Sequence, residues 1–135
     1  VNGLVGSEMC IRDRFIPVIA PIGIGEDFKT YNINADIVAG KIAKILQAGK
    51  YVVLTNTTGI FDDNGNLIKS MNAEQVRQLV NKGIISSGML PKVESALEAV
   101  SAGVQNVQII DGTIDHAILL ELFTDEGVGT MIRRT

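Results

Sequence analysis

Short runs of consecutive apolar, β-branched residues alternate along the chain with longer segments in which apolar residues return every three to four positions. These are the signatures of buried strands and of one-sided helices. Phe15-Ile16-Pro17-Val18-Ile19-Ala20 reads as a first buried strand, with Pro17 marking its start or an edge. Pro21-Ile22-Gly23-Ile24-Gly25 ends it in a turn-rich loop. Asn34 is suited to cap a helix from Ala35 to about Ala48, with Val38, Ile42, Ile45 and Leu46 inward, Lys41, Lys44 and Gln47 on a solvated face, and Gly49 as its stop. Tyr51–Thr55 is a second buried strand, and Asp63-Asn64-Gly65-Asn66 marks a tight turn in the polar stretch after it. Asn72 with Gln75 predicts a capping box at the start of a short helix that buries Val76, Leu79 and Val80 and ends at Gly83. After the Ser86-Ser87-Gly88 loop, Met89 to Ala102 is a helix with Pro91 in its first turn, Val93, Leu97 and Val100 inward and Gly103 as its stop. Val104–Ile110 is a third strand, His116–Phe123 a short apolar helix, and Gly129–Arg133 a last strand. This alternation predicts one α/β domain over residues 15–135 with a mostly parallel sheet.

Composition narrows the possible functions. The 135 residues are 46% hydrophobic and 20% charged, with one Cys and one His. A lone Cys makes no internal disulfide, and one Cys with one His cannot build a zinc site of the usual four-ligand kind. No apolar run approaches the roughly 20 residues of a membrane span. Twelve basic against 15 acidic residues, net −3, give no footprint for nucleic acid or an anionic membrane. The 4% aromatic content argues against base-stacking platforms. The 14 glycines exceed the usual share of about 7% and place tight turns or close backbone approach in the loops.

Residues 1–14 have no useful period, and Leu4 and Val5 are too few for a signal-peptide core. The string from Gly6 to Arg14 resembles a translated sequencing adapter. The segment is expected to be a non-native or disordered tail, and Cys10 is left out of any functional role.

In open parallel sheets ligands bind outside the carboxyl ends of the strands. Three loops leave such ends here: Gly23–Asp36, Thr55–Gly59 and Asp111–Thr113. Their Gly, Thr and Asn content, opening into helix starts, suits anions. Neither a Walker motif nor a dinucleotide fingerprint is present. Taken singly, Asp36 reads as a capping carboxylate, Lys92 as an exposed helical lysine and Asn34 as a cap only.

The joint pattern is more specific. Tyr31-Asn32-Ile33-Asn34-Ala35-Asp36, Ser87-Gly88-Met89-Leu90-Pro91-Lys92 and Leu119-Leu120-Glu121-Leu122-Phe123-Thr124 closely resemble the acetylglutamate kinases of the amino-acid kinase family. Pro17–Gly23, Gly83-Ile84-Ile85 and Gly127–Ile132 fit the same family in the same order. The resemblance implies a three-layer α-β-α sandwich, of which residues 15–135 are the C-terminal, ATP-binding half. It implies transfer of a phosphoryl group from ATP, with Mg2+, to the γ-carboxylate of N-acetyl-L-glutamate in arginine biosynthesis, in the cytoplasm. By the same resemblance Lys92 is a transition-state lysine and Asp36 the carboxylate that orients it. Asn32 binds the substrate's α-carboxylate. Asn56, Thr57, Thr58, Gly59, Ile84, Ile85 and Ser86 line the nucleotide site, and no metal ligand is assigned.

In arginine-inhibited members the region matching His116, Glu121 and Gly127 contributes to the inhibitor site. His116 has no partner with which to act as a base and otherwise reads as structural, as Glu121 otherwise reads as a solvated carboxylate. The chain departs from many relatives at Phe28, where they carry Gly, at Asn56, where they carry Asp, and at Thr113, where they carry Arg. A glycine-rich loop with a second phosphate-stabilising lysine, expected in the other half, is absent before Phe15. The full-length parent is therefore expected to be the kinase and a homo-oligomer, and this chain by itself inactive with at most weak self-association. Two alternatives remain: another amino-acid kinase, acting on glutamate, aspartate, carbamate or a nucleoside monophosphate, and a non-catalytic module binding arginine or nucleotide.

Overall fold

The structure is a computed structural model and describes residues 5–124 and 127–134. Of the segment read as a tail, residues 1–4 therefore lie outside the described residues, as do 125, 126 and 135 of the expected domain. The rest of the tail, for which the sequence predicts no element, contains helix α1 (Val5–Arg12).

The body contains a two-stranded antiparallel ribbon and a four-stranded sheet. The ribbon is β1 (Ile22–Ile24) with β2 (Thr30–Asn32). Then follow α2 (Ala35–Ile45), β3 (Lys50–Thr55), β4 (Ser70–Asn72), α3 (Ala73–Asn81), α4 (Leu90–Ser101), β5 (Asn106–Asp111), α5 (Ala117–Phe123) and β6 (Gly129–Arg133). The sheet order is β3-β5-β6-β4. β3 pairs parallel with β5 (Thr55 opposite Asp111) and β4 parallel with β6, while β5 and β6 run antiparallel (Ile109 opposite Thr130). The sheet is thus mixed and mostly parallel, in the α/β class that the alternation predicts.

Side-chain alternation divides the sheet into two faces. Tyr51, Val53, Val107, Ile109 and Ile132 point into the main core, where Val76 of α3 and Val93, Ala96 and Val100 of α4 meet them, all buried. Lys50, Val52, Gln108 and Met131 lie on the opposite face, and Glu121 and Leu122 of α5 share a cleft with Lys50, Gln108 and Met131. Leu54 on that face and Ile118, Leu119 and Leu122 on α5 stay partly exposed. No helix among the described residues is long and apolar enough to cross a membrane.

The packing of α2 on α4 positions the site. Contacts between them run in step along both helices. Asp36 meets Lys92, Gly40 meets Ser95, Lys41 and Lys44 pair with Glu98, and the Gln47 amide reaches Ala102 O. The two helices therefore lie parallel, with their N-termini side by side. Gly40 permits the approach: a Cβ there would overlap the Ser95 hydroxyl.

Several sequence expectations are corrected. Phe15–Ala20 is not a strand, with Ile16 91% and Val18 96% exposed, because no strand among the described residues pairs with it. Pro21–Gly25 is not only loop, since Ile22–Ile24 forms β1. α2 ends at Ile45 rather than near Ala48, and Gly49 is not its stop. Gln47 takes the left-handed conformation (φ 47°), Gln47 N–H donates to Lys44 O and Ala48 N–H to Ala43 O, which makes a Schellman cap. Gln47 tolerates that position because its side-chain amide donates to Lys44 O (2.7 Å) and Ala102 O (3.1 Å). The same motif closes α3 at Gly83 and α4 at Gly103, where the sequence predicts it. β4 is not evident in sequence, because three residues are too short for a period and the strand exists by pairing with β6.

Substituting Gly40→Val should force α2 off α4. Overpacking of this kind costs about 1–3 kcal/mol, and urea unfolding should show the midpoint falling with an unchanged slope.

Candidate active site

Lys92 lies in the first turn of α4 and Asp36 in the first turn of α2. Asn34 shapes the second of these turns: its Oδ1 accepts from Asp36 N (2.9 Å) and Ile37 N (3.4 Å), the N-cap geometry that the sequence predicts. The Lys92 ammonium donates to Asp36 Oδ2 at 2.9 Å, and both side chains are about four-fifths buried (21% and 20% exposed). The Asp36 carbonyl is also held from below. It accepts from Ser95 Oγ at 2.7 Å and from Tyr51 Oη at 3.4 Å, with Tyr51 Oη and Ser95 Oγ themselves 3.0 Å apart. Burial pushes the Tyr51 phenol above its usual pKa, so it stays a neutral donor.

An ammonium has three N–H donors. One is spent on Asp36, which leaves two for an incoming anion. The adjacent positive ends of two parallel helix dipoles add to the attraction at the same point.

A cleft of about 190 Å³ is lined by Thr57, Gly59, Ile60, Phe61, Asp62, Ile84, Ile85, Ser86 and Met89. Thr57 and Gly59 follow the carboxyl end of β3, and Met89 is the N-cap of α4, so the cleft lies at the strand end of the sheet and borders the start of the helix that carries Lys92. Its walls are apolar, with hydroxyls and one carboxylate among them. The Asp62 carboxylate accepts from Asn66 N (2.8 Å), Asn64 N (2.9 Å) and the Asn66 side chain (3.2 Å), and these hydrogen bonds hold its pKa below the ordinary range. At the neighbouring strand end, the Thr113 hydroxyl and amide hold Asp111 down in the same way.

The family model described as the amino acid kinase family matches residues 7–111. The chain belongs to the amino acid kinase family. Among curated relatives, the acetylglutamate kinase of Nitrosococcus oceani (strain ATCC 19707) is 57% identical over 126 residues, which are 93% of this chain and 42% of that protein. That of Halorhodospira halophila is 56% identical over 127 residues, 94% of this chain and again 42% of the relative. The chain thus spans about two-fifths of the length of these relatives. Among solved structures, N-acetylglutamate synthase from Neisseria gonorrhoeae, complexed with coenzyme A and L-arginine, superposes with a TM-score of 0.91 at 31% identity, over 98% of this chain and 31% of that one. Carbamate kinase from Giardia lamblia, bound to AMP-PNP, gives 0.70 at 19% identity over 98% and 45%, a likeness of fold.

The amino acid kinase fold brings some of the sequence-selected residues together and leaves others apart. Lys92 meets Asp36, and Thr57, Gly59, Ile84, Ile85 and Ser86 share the cleft. Asn56 and Thr58 are exposed and do not line it, and Asn32 stands exposed at the end of β2. Phe28 keeps a left-handed backbone (φ 60°), so the ribbon turn retains the conformation that favours glycine although a phenylalanine occupies it.

A second cleft of about 300 Å³ joins Glu121 and Gly127 with Lys50, Lys69, Gln108 and Met131. Glu121 is buried rather than solvated and accepts from Val128 N at 2.9 Å. Gln108 Oε1 has no hydrogen-bond partner among the described residues. His116 is exposed at the N-terminus of α5 in the left-handed conformation and does not line the cleft. Sequence reasoning missed Ile60, Phe61, Asp62 and Met89 in the first cleft, and Lys50, Lys69, Gln108 and Met131 among those of the second. Only Asp62 carries a local signal, the Asp-x-Asn-x-Asn spacing by which a carboxylate caps its own turn.

Because its hydrogen bonds favour the ionised form, Asp62 contributes stability that is present above the ordinary aspartate range and is lost as pH falls through the lowered value. Asp62→Asn should be less stable than the parent chain at neutral pH, and the gap should narrow below about pH 4. Urea titrations at a series of pH values measure both.

Proposed function

We propose that this chain is the nucleotide-binding part of an acetylglutamate kinase, and we assign the activity to the full-length protein rather than to these 135 residues by themselves. The observation that carries the reading is the Lys92–Asp36 pair at two adjacent helix starts, one of which borders the cleft through its N-cap Met89. In the reaction an oxygen of the γ-carboxylate of N-acetyl-L-glutamate bonds to the γ-phosphorus of ATP, the bond from that phosphorus to the bridging oxygen breaks, and ADP leaves. Charge spreads over the moving phosphoryl oxygens, and catalysis of such a step is positional and electrostatic.

Lys92 supplies a point charge with two free donors for those oxygens, and Asp36 fixes the ammonium's direction, so no reorganisation is needed when the charge develops. The apolar walls of Ile60, Ile84, Ile85 and Met89 suit a flat heteroaromatic base, with the hydroxyls of Thr57 and Ser86 near its polar groups. Asn32, four residues before Asp36, offers an amide donor to the α-carboxylate of the acceptor. Among the described residues no three His, Cys, Asp or Glu side chains gather as a cation site. Mg2+ would neutralise charge on the ATP phosphates.

In a full-length protein carrying this sequence, Lys92→Ala should lower kcat by about 10²–10³-fold, the loss found when one transition-state donor is removed. Trapping the acyl phosphate with hydroxylamine measures this. Unchanged turnover refutes the role of Lys92, and turnover of glutamate, aspartate or carbamate in place of acetylglutamate moves the assignment to another member of the family.

A second ligand is favoured by the second cleft. Glu121 is a buried carboxylate and Gln108 Oε1 a buried acceptor without a donor, a pair suited to a guanidinium, while Lys50 and Lys69 suit a carboxylate. We propose free arginine as that ligand. Arginine should raise the melting temperature of the chain, since a ligand at 100 times its Kd stabilises by about 2.7 kcal/mol. Glu121→Gln should abolish the rise, and an equal rise with lysine removes the guanidinium reading.

A further inference from the structure

We propose that Thr130, on β6, is the positioning residue of the first cleft: its buried hydroxyl holds the loop after β3 in the shape that a nucleotide meets. The inference rests on the nucleotide reading of that cleft and adds a residue that does not itself line it. Thr130 is fully buried on the core face of the sheet, opposite Ile109. It is the one buried hydroxyl among the apolar residues of that face on β6, and its Oγ1 accepts from Ile60 N at 2.8 Å.

The neighbouring Gly59 sets the approach. It has φ 147°, a conformation that L side chains rarely adopt, and a Cβ there would lie 2.5 Å from Thr130 Oγ1 and 2.9 Å from Leu67 Cδ1. The loop thus lies directly on the strand, without room for a side chain between them. The Ile60 carbonyl faces the other way and accepts from Ile68 N at 2.9 Å, so both polar groups of one peptide-bearing residue are committed. Gly59, Ile60, Phe61 and Asp62 all line the cleft, and the anchor lies among them in sequence. Removing the Oγ1 acceptor leaves Ile60 N–H buried without a partner, and the loop then gains by moving off β6 toward water.

The variants that decide the matter are Thr130→Val, which keeps the shape and loses the oxygen, and Thr130→Ser, which keeps the oxygen. Binding of ATP to the 135-residue chain is measured by calorimetry, amide exchange at Ile60 by NMR, and retention of the fold by thermal melting. In the parent chain Ile60 N–H should exchange as slowly as the amides of β6. In Thr130→Val its protection should fall, and the Kd for ATP should rise about tenfold, the factor that corresponds to about 1.4 kcal/mol. Thr130→Ser should restore both. An Ile60 amide that exchanges in the parent as fast as an open loop overturns the proposal, whether or not Thr130→Val folds. So does an unchanged Kd in a folded Thr130→Val, or loss of affinity that Ser does not rescue. If the parent binds no ATP while Ile60 is protected by Thr130, the nucleotide reading fails and the anchoring of the loop stands.

Discussion

The parallel contact of α2 with α4 is the constraint on which the candidate site depends. Helices packed side by side at the distance that a glycine allows bring their first turns level, and a side chain from each then meets at the same height. Gly40 against Ser95 sets the separation, and Asp36 with Lys92 is its consequence at the end of the sheet where β3 and β5 finish. The arrangement carries an electrostatic cost, because two parallel helix dipoles place like partial charges together. Asp36 offsets that cost in the absence of a ligand, and an anion would offset it further. A site of this kind is therefore poised for negative charge before any ligand arrives.

The buried layer beneath the ion pair makes it stiff. Ser95 and Tyr51 hold the backbone carbonyl of Asp36, and Asn34 caps the turn from the other side. The carboxylate thus has few ways to turn away from Lys92. A surface pair between long side chains is worth little because both must be ordered on contact. Here the ordering is done by groups that belong to the core, and the pair inherits their rigidity.

β6 lines the second cleft and braces the loop of the first without lining it. Gly129 and Met131 look into the second cleft, while Thr130 between them faces the core and meets the loop of the first. Period-two alternation makes this inevitable in a strand, since neighbouring residues serve opposite faces. It also explains why the motif Gly127–Ile132 resists a single role.

Local chemistry was largely legible along the chain. Asn34 and Asn72 as caps, Gly83 and Gly103 as stops, the turn around Gly65 and strands β3 and β6 follow from propensity, capping and period, all of which act within a few residues. The resemblance of several short motifs placed Lys92 and Asp36 in one site, 56 residues apart in sequence. Other features were decided only by distant parts of the chain. Phe15–Ala20 has the composition of a buried strand, but a strand is a pairing, and no partner lies beside it among the described residues. β4 is the converse, a segment with no pattern of its own that β6 recruits. Gln47 closes α2 in place of a glycine because its amide finds Ala102 at the end of another helix, and Glu121 is buried in a cleft that it shares with Gln108 of β5. Short-range preferences set where elements start and stop; which faces meet, and therefore which polar groups converge, is settled by burial and hydrogen bonding between residues that no local pattern connects.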